Sequence, residues 1–555
     1  MIRACLAVIA CLGLAASAGA QTVGSSNTAT ADPTVPRPGT TPCAVQLYSG
    51  YTFADFSPKP FTYTPPAACP GPWAKVVLEA DFSVTAGRQF DRTAQIAIGH
   101  VNVYYGTTME PSASVSPSWH VERDLTDYSP LFATAQTGEV NLGNLVNSTY
   151  TGILHGSARV LLYPPSAAAP APQAADAVLP LSTAPGGAAL LQTGSDVLAA
   201  SFSLPANVEA AYLDVIPQSQ SSDEFWYTCV PDDAANVVFS CGGTAFREAE
   251  VTVDGQPAGV APVYPWIFTG GIDPLLWRPV PGVQTLNFLP YRVDLTPFAG
   301  LLSNGQPHQV GVSVYNANHY FLVTASLLLY QDHGSAQVTG AVTRNTIGAV
   351  PASVIREDLA TAADGTVSGT ITTRNQRELT LAGYVDTSHG RVETTVRQTL
   401  SFANEQSFLV SATQYVQKIE QGTEIESSVE TKGPHSVAHS EKHLSYPLSL
   451  DYSFLANADG SGSQTTAIEQ AFNSQEALGG NAVDSGLNRV SNTVKAADTL
   501  LFNAAGAITG FQDRGTSQTY IARGSGGACY SKTVTAANGV VTGVEDGQGC
   551  GNRDH

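Results

Sequence analysis

RTAQIAIGH (92–100) and REAEVTVDG (247–255) spell one pattern twice: an arginine, an alanine two places on, then apolar residues at alternate positions. Alternation with period two is what a half-buried strand requires. A second pair of anchors follows, RDLTDYSPLF (123–132) and RVDLTPFAGLL (292–302), around a shared Asp-Leu-Thr at 124–126 and 294–296. A repeat of this size, made of short alternating strands, predicts two tandem β-sandwich domains. The second copy is longer by roughly fifteen residues, and PVYPWIFTGGIDPLLWRP (262–279) accounts for them.

Composition agrees with an all-β reading. Charged residues make up only 13% of the 555, whereas Gly (51) and Pro (34) are plentiful, which favours strands and tight turns over helices. The net charge of −20 excludes a nucleic-acid partner, which would need a basic footprint. MIRACLAVIACLGLAASAGA (1–20) has an early arginine, an apolar core and an Ala18-Gly19-Ala20 end, and reads as a cleavable secretory signal. No other apolar run is long enough to span a bilayer, so no membrane anchor is expected, and the mature chain is placed outside the cell or in a periplasm. Six cysteines remain after cleavage, an even count that suits disulfides in an exported chain. The simplest pairing is local: Cys43–Cys69, Cys229–Cys241 and Cys529–Cys550.

The expected organisation is a flexible leader over 21–42, a first sandwich over 43–165, a Pro/Ala-rich linker over 166–195, a second sandwich over 196–335 and a third, β-rich domain over 336–555. Within the first sandwich, AKVVLEADFSV (74–84) alternates cleanly. The apolar parity switches at Gly99-His100, which marks a turn or bulge.

Several catalytic motifs are absent: no G-x-S-x-G, no H-E-x-x-H, no Walker loop and no dinucleotide fingerprint. No metal or organic cofactor is called for. His435, His439 and His443 are spaced four apart, but their surroundings read as strand and they are taken as solvated strand residues. Carboxylates near aromatics remain. In GRQFDR (87–92), Asp91 lies between Arg88 and Arg92, cations that favour its charged form. The second copy has Phe246 where the first has Asp91, while Arg92 and Arg247 correspond; the scaffold therefore requires the arginine and not the aspartate. SSDEFWYTCVPDD (221–233) sets Asp223 and Glu224 beside Phe225, Trp226 and Tyr227, and Trp266 and Trp277 flank Gly270-Gly271. Carboxylates beside indole faces suit a sugar site, because apolar sugar faces pack on rings while hydroxyls bond carboxylates. Glu248, at the opening of the second-copy strand, is a further candidate.

The stretches GRQFDR, VERDLTDYSPLF, LGNLVNSTYTG, DEFWY, FREAEVTVDG and FTGGIDPLLWRPV resemble the acid-active peptide-N4-(N-acetyl-β-glucosaminyl)asparagine amidases of the A type, in order over roughly 75–335. A more distant similarity is to peptide-N-glycosidase F, a pair of jelly rolls, whose W-D-R resembles Phe90-Asp91-Arg92. The resemblance implies hydrolysis of the amide between asparagine and the first N-acetylglucosamine of N-glycosylated peptides and glycoproteins, at acidic pH. It implies Asp91 as the catalytic carboxylate. The other glutamates of that enzyme do not carry over, since the registers give Asn144 and Gly243. Glu224 and then Glu248 are expected to act beside Asp91, with Arg88, Arg92, Asp223, Arg247, Trp226, Trp266 and Trp277 binding substrate. A glycan-binding protein without turnover and an endo-acting glycosidase are the competing readings.

Overall fold

The computed structural model describes residues 21–480 and 486–550; the export signal expected over 1–20 lies outside them. Eight strands make the first unit: β1 (Cys43–Phe53), β2 (Lys59–Tyr63), β3 (Lys75–Val84), β4 (Thr93–Ile98), β5 (Val101–Thr107), β6 (Ser118–Asp124), β7 (Gln136–Asn141) and β8 (Leu154–Tyr163). They form two antiparallel sheets in the orders β1-β8-β3-β6 and β2-β7-β4-β5. This interleaving is the jelly roll. Inward residues of both sheets, among them Phe53, Leu78, Ile96, Tyr104 and Leu162, make one core together with Phe132 of the β6–β7 connection. Gly99 and His100 adopt φ of 56° and 67° and turn the chain between β4 and β5, which explains the switch of apolar parity.

The second unit repeats the topology. After β9 (Ala177–Pro180) come β10 (Ala188–Thr193), β11 (Leu198–Ser203), β12 (Val208–Ser219), β13 (Glu248–Val253), β14 (Gln256–Pro262), β15 (Tyr291–Asp294), β16 (Pro307–Tyr315) and β17 (Asn318–Gln331). The sheets run β10-β17-β12-β15 and β11-β16-β13-β14, so that β10 to β17 take, in order, the places of β1 to β8. The repeated sequences are thus equivalent strands: β4 and β13 carry the first anchor, and β6 and β15 end at the aspartates of the second. The extra residues of the second copy lie in the β14–β15 connection.

Two expected segments differ. The linker expected over 166–195 contributes β9 and β10, both paired with β17, so the second jelly roll begins near Ala177. Between those strands, Gly186 docks on the first roll, its carbonyl accepting from Asn102 Nδ2 at 2.8 Å and its N–H donating to Glu139 at 2.8 Å. The flexible leader expected over 21–42 is instead a tie between units. Gly24 and Ser25 bond Val541, Ala31 N–H bonds Gln518 Oε1, and Arg37 reaches Glu79 and Glu122 of the first roll. Its small side chains let it lie close: Ala29 and Ala31 are buried against Val534 and Val541. Composition alone hid this, because the backbone makes most of the contacts.

The C-terminal unit is a single 12-stranded antiparallel sheet with strands of up to 21 residues, such as Val367–Thr387 and Gly390–Val410. Among the described residues it has no opposing layer of its own. Its apolar face, including Leu381, Leu400, Phe402, Ile425, Leu450 and Ile468, shares a core with the second jelly roll. Phe402 packs on Phe246 with ring centroids 5.2 Å apart, and Tyr446 on Tyr264 at 5.0 Å. His439 and His443 sit exposed on Val437–Ser445, each beside a glutamate. Three disulfides join Cys43 to Cys69, Cys229 to Cys241 and Cys529 to Cys550.

The two rolls are fixed side by side by polar contacts as well as by packing. Buried Asp214 of β12 accepts from Tyr128 Oη at 2.8 Å across the junction and pairs with Arg292, which also reaches Asp127 of the first roll. Asp214→Ala would strand the partly exposed Arg292 and the buried Tyr128 hydroxyl. It should lower stability by about 2–3 kcal/mol in urea unfolding of the full chain; a change within about 0.5 kcal/mol would mean that the junction does not depend on it.

Candidate active site

Four connections, two from each roll, bring the candidate chemistry together. GRQFDR precedes β4 and presents Asp91; the exit of β5 presents Glu110. From the second roll, the β12–β13 connection presents Glu224 and the β14–β15 connection presents Gly270 and Gly271. Gly270 N–H donates to Asp91 Oδ2 at 3.0 Å, a contact from one roll to the other. A methyl group on Gly270 would fall 2.7 Å from Glu110 Oε2 and 2.9 Å from Asp91 Oδ1, and one on Gly271 3.4 Å from Glu224 Oε1. All three carboxyls therefore crowd the same glycine pair, and a side chain at the first position would push Asp91 or Glu110 aside.

Burial controls their protonation. It pushes Asp91 above the usual aspartate range, outweighing the Gly270 N–H and the charge of Arg92, which act the other way. The sequence-based expectation that neighbouring arginines dominate at Asp91 is thus reversed: desolvation is the larger effect. Burial raises Glu224 to about 8, with the nearby Asp91 charge adding to it. No hydrogen bond to the Glu224 carboxyl is found among the described residues. Glu110 is raised to about 7 by burial, opposed by Arg278 and reinforced by Asp91 and Asp273. Arg278 Nη2 donates to Glu110 Oε1 at 2.9 Å and its Nε to the Glu110 carbonyl at 3.0 Å. Three acids packed together cannot all ionise near neutrality, so the site holds protons at a pH where free carboxyls have lost them.

Asp223 and Arg247 are placed as supports. Both side chains are fully buried and pair at 3.2 Å. Asp223 Oδ2 accepts from the N–H groups of Asn318 and Tyr320 at 2.8 and 3.0 Å, which anchors the turn that sets Glu224. The same turn is held from behind by the C-terminal sheet: Asn404 Nδ2 donates to the Tyr227 carbonyl at 2.9 Å and Gln406 Nε2 to that of Cys229 at 3.0 Å.

The tryptophans are core residues and not an open platform. Trp226, Trp266 and Trp277 are each 2% exposed or less. Trp226 packs near Phe402, Trp266 on Phe288, and Trp277 donates its indole N–H to the Gly271 carbonyl at 2.9 Å. The rings at the rim are the exposed Phe90 and the half-buried Tyr150, 5.3 Å apart, with Arg88 over Tyr150 and Arg92 beside Phe90. Arg88 thus faces the rim, and Arg92 bonds Gln89 at 3.0 Å. Glu248 stands apart from the acid cluster. It is buried against the C-terminal sheet in an ion pair with Arg377, and burial still holds it at about 7. The structure thus gives Glu248 a structural partner where sequence reading expected a catalytic one.

Glu110 escaped sequence reading because YYGTTMEP (104–111) offers a lone carboxylate after an apolar strand. The available signal was positional: it leaves β5 just as Asp91 enters the neighbouring β4. A cleft of about 810 Å³ between the leader, the first roll and the C-terminal sheet is lined by none of the three acids. Asp223→Ala leaves a buried guanidinium unpaired and should cost about 3–5 kcal/mol in denaturant unfolding; a loss below about 1 kcal/mol would mean that Arg247 finds another partner or water.

Residues 32–347 match the family model described as peptide N-acetyl-beta-D-glucosaminyl asparaginase amidase A, and residues 370–448 match a PNGase A C-terminal domain. The chain is 29% identical over 541 residues to peptide-N4-(N-acetyl-beta-glucosaminyl)asparagine amidase A of Prunus dulcis, covering 93% of this chain and 91% of that protein. Among solved structures, PNGase F of Flavobacterium meningosepticum covers 52% of this chain and 96% of its own at 13% identity and a TM-score of 0.37. PNGF-II covers 52% of this chain and 66% of its own at 12% identity, also with a TM-score of 0.37. With more than half of its length matched by one family model and carrying the acid cluster, the chain belongs to the peptide N-acetyl-β-D-glucosaminyl asparaginase amidase A family.

Proposed function

We propose that Asp91, Glu110 and Glu224 together carry out the family's reaction in this chain, hydrolysis of the amide between an asparagine side chain and the proximal N-acetylglucosamine of an N-linked glycan. The observation that carries this reading is the convergence of the three acids on Gly270 and Gly271 between the two rolls. Asp91, ionised once pH exceeds its raised value, orients a water and takes its proton as the oxygen adds to the asparagine Cγ. Arg92, beside it, offsets negative charge gathering on the carbonyl oxygen.

The C–N bond breaks only when the nitrogen is protonated as it leaves. Glu224, still protonated up to about pH 8, supplies that proton. The products are an aspartate residue and a glycosylamine. Glu110, held by Arg278, keeps Asp91 and Gly270 in place and buffers the cluster's charge. The rim pair Phe90 and Tyr150 offers the apolar faces on which a sugar ring packs.

This assignment supports work in acidic to neutral medium: activity rises as Asp91 ionises and falls as Glu224 loses its proton near pH 8. An oxidising compartment fits the three disulfides. Among the described residues no helix is long and apolar enough to cross a membrane. Export through residues 1–20 completes this reading.

Asp91→Asn keeps an acceptor for Gly270 N–H while removing the base. Release of glycan from an N-glycopeptide should drop by at least about a thousandfold, with the thermal midpoint unchanged or higher because a buried charge is gone. Comparable turnover in this variant would contradict the role. Glu224→Gln should remove most of kcat throughout the active pH range, because glutamine has no proton to give; a variant that keeps near wild-type kcat would reassign the acid.

A further inference from the structure

The connection that carries Gly270 is strained and heavily tied. Ile272, a β-branched residue, sits at φ 64°, a conformation such side chains rarely adopt. Strain of this kind persists only where surrounding contacts over-determine the backbone. Some of these are local: Trp277 holds the Gly271 carbonyl, and Asp273 Oδ1 accepts from Leu275 N–H at 2.8 Å. The others come from the C-terminal sheet. Arg514 Nε donates to the Leu275 carbonyl at 2.8 Å and its Nη2 to that of Arg278 at 2.9 Å, and Thr516 Oγ1 donates to that of Leu276 at 2.6 Å.

One contact of this tie lacks a donor. Asp273 and Asp498, 2% and 1% exposed, face each other, Asp498 projecting from strand Gly486–Phe502 of the sheet. Asp273 Oδ2 and both Asp498 oxygens are buried with no hydrogen-bond partner when the two are treated as carboxylates. Two buried aspartates side by side repel if both ionise, and one proton between them removes the repulsion and satisfies an oxygen on each. The charged and titratable groups around the pair are Arg278 and Glu110 from the site, Arg514 from the adjacent strand and Tyr452 from Leu448–Ala456.

We propose that Asp498 is a positioning residue for the hydrolysis: a proton shared with Asp273 fastens the Gly270–Arg278 connection to the C-terminal sheet and so holds Gly270 against Asp91 and Glu110. The C-terminal unit is then part of the active site's machinery without touching substrate. The inference rests on the roles proposed for Asp91 and Glu110, but its structural half can be read without turnover. Burial raises Asp498 to about 7, and the charge and hydrogen bond of Asp273 add to that. An unfolded aspartate releases its proton near 3.8. Between those values the folded chain keeps a proton that the unfolded chain has lost. The pair's stabilisation is therefore full below the lower value and is lost as pH rises through about 7.

The test uses the full chain with Asp498→Asn, Asp273→Asn and Asp498→Leu. Asparagine at either position donates a hydrogen bond at every pH. Both Asn variants should show a shallower fall of the thermal midpoint from pH 4 to pH 8 than the wild-type chain, and should keep kcat above neutrality where the wild type begins to lose it, with KM nearly constant. Asp498→Leu cannot donate or accept, and its kcat should drop about tenfold or more, a loss that the Asn variant does not share. Wild-type pH dependence of the midpoint in both Asn variants would overturn the shared proton. A changed midpoint profile with wild-type kcat in Asp498→Leu would overturn the positioning role while leaving the proton. Added calcium that raises the wild-type midpoint but not that of Asp498→Asn would assign the pair to a cation instead.

Discussion

One backbone N–H, that of Gly270, reaches from the second jelly roll to the Asp91 carboxylate of the first. The rest of the structure can be understood as what that contact requires. The two rolls must stay in register, so Tyr128, Asp214, Arg292 and Asp127 are joined across the junction. Glycine must occupy position 270, because any side chain would displace Asp91 or Glu110. The connection must hold a strained conformation, so Trp277, Arg514 and Thr516 fasten it. Excluding water around three acids is what shifts their protonation upward, and the same exclusion strengthens every charge that acts there.

Among the described residues the C-terminal sheet lacks an opposing layer of its own, and it completes the core of the second roll. Its buried face is not purely apolar. Asn404, Gln406 and Gln417 bond carbonyls of the Glu224 turn, while Arg514 and Thr516 bond those of the Gly270 connection. The Thr228 carbonyl also accepts from Ser240 Oγ; the other side chains each satisfy a backbone carbonyl at the buried junction, so the polar residues add specificity of position to the packing. Both loops that the second roll contributes to the site are thus supported from outside that roll.

Much of the fold was legible in the sequence. The paired anchors at Arg92 and Arg247 fall on β4 and β13, and the substitution of Phe246 for Asp91 marked a residue that the scaffold does not need. Short-range patterns carry such information because strand alternation is local. Burial is not local. Trp226, Trp266 and Trp277 carry the composition of a sugar platform, yet the C-terminal sheet and the second-roll core cover them. The leader has no apolar period, yet backbone hydrogen bonds tie it between units. Glu110 and Asp498 have no motif around them at all; they matter through what the topology places beside them, Gly270 for one and Asp273 for the other.

The most direct measurement of the central claim is the mass of the peptide left after an N-glycopeptide is incubated with the chain in heavy-oxygen water at mildly acidic pH. Water attack at the asparagine Cγ leaves an aspartate carrying one heavy oxygen, together with an intact released glycan. An asparagine that keeps a single N-acetylglucosamine would place the cleavage between sugars. An unchanged glycopeptide would mean that the three acids do no hydrolysis; either result would contradict the mechanism.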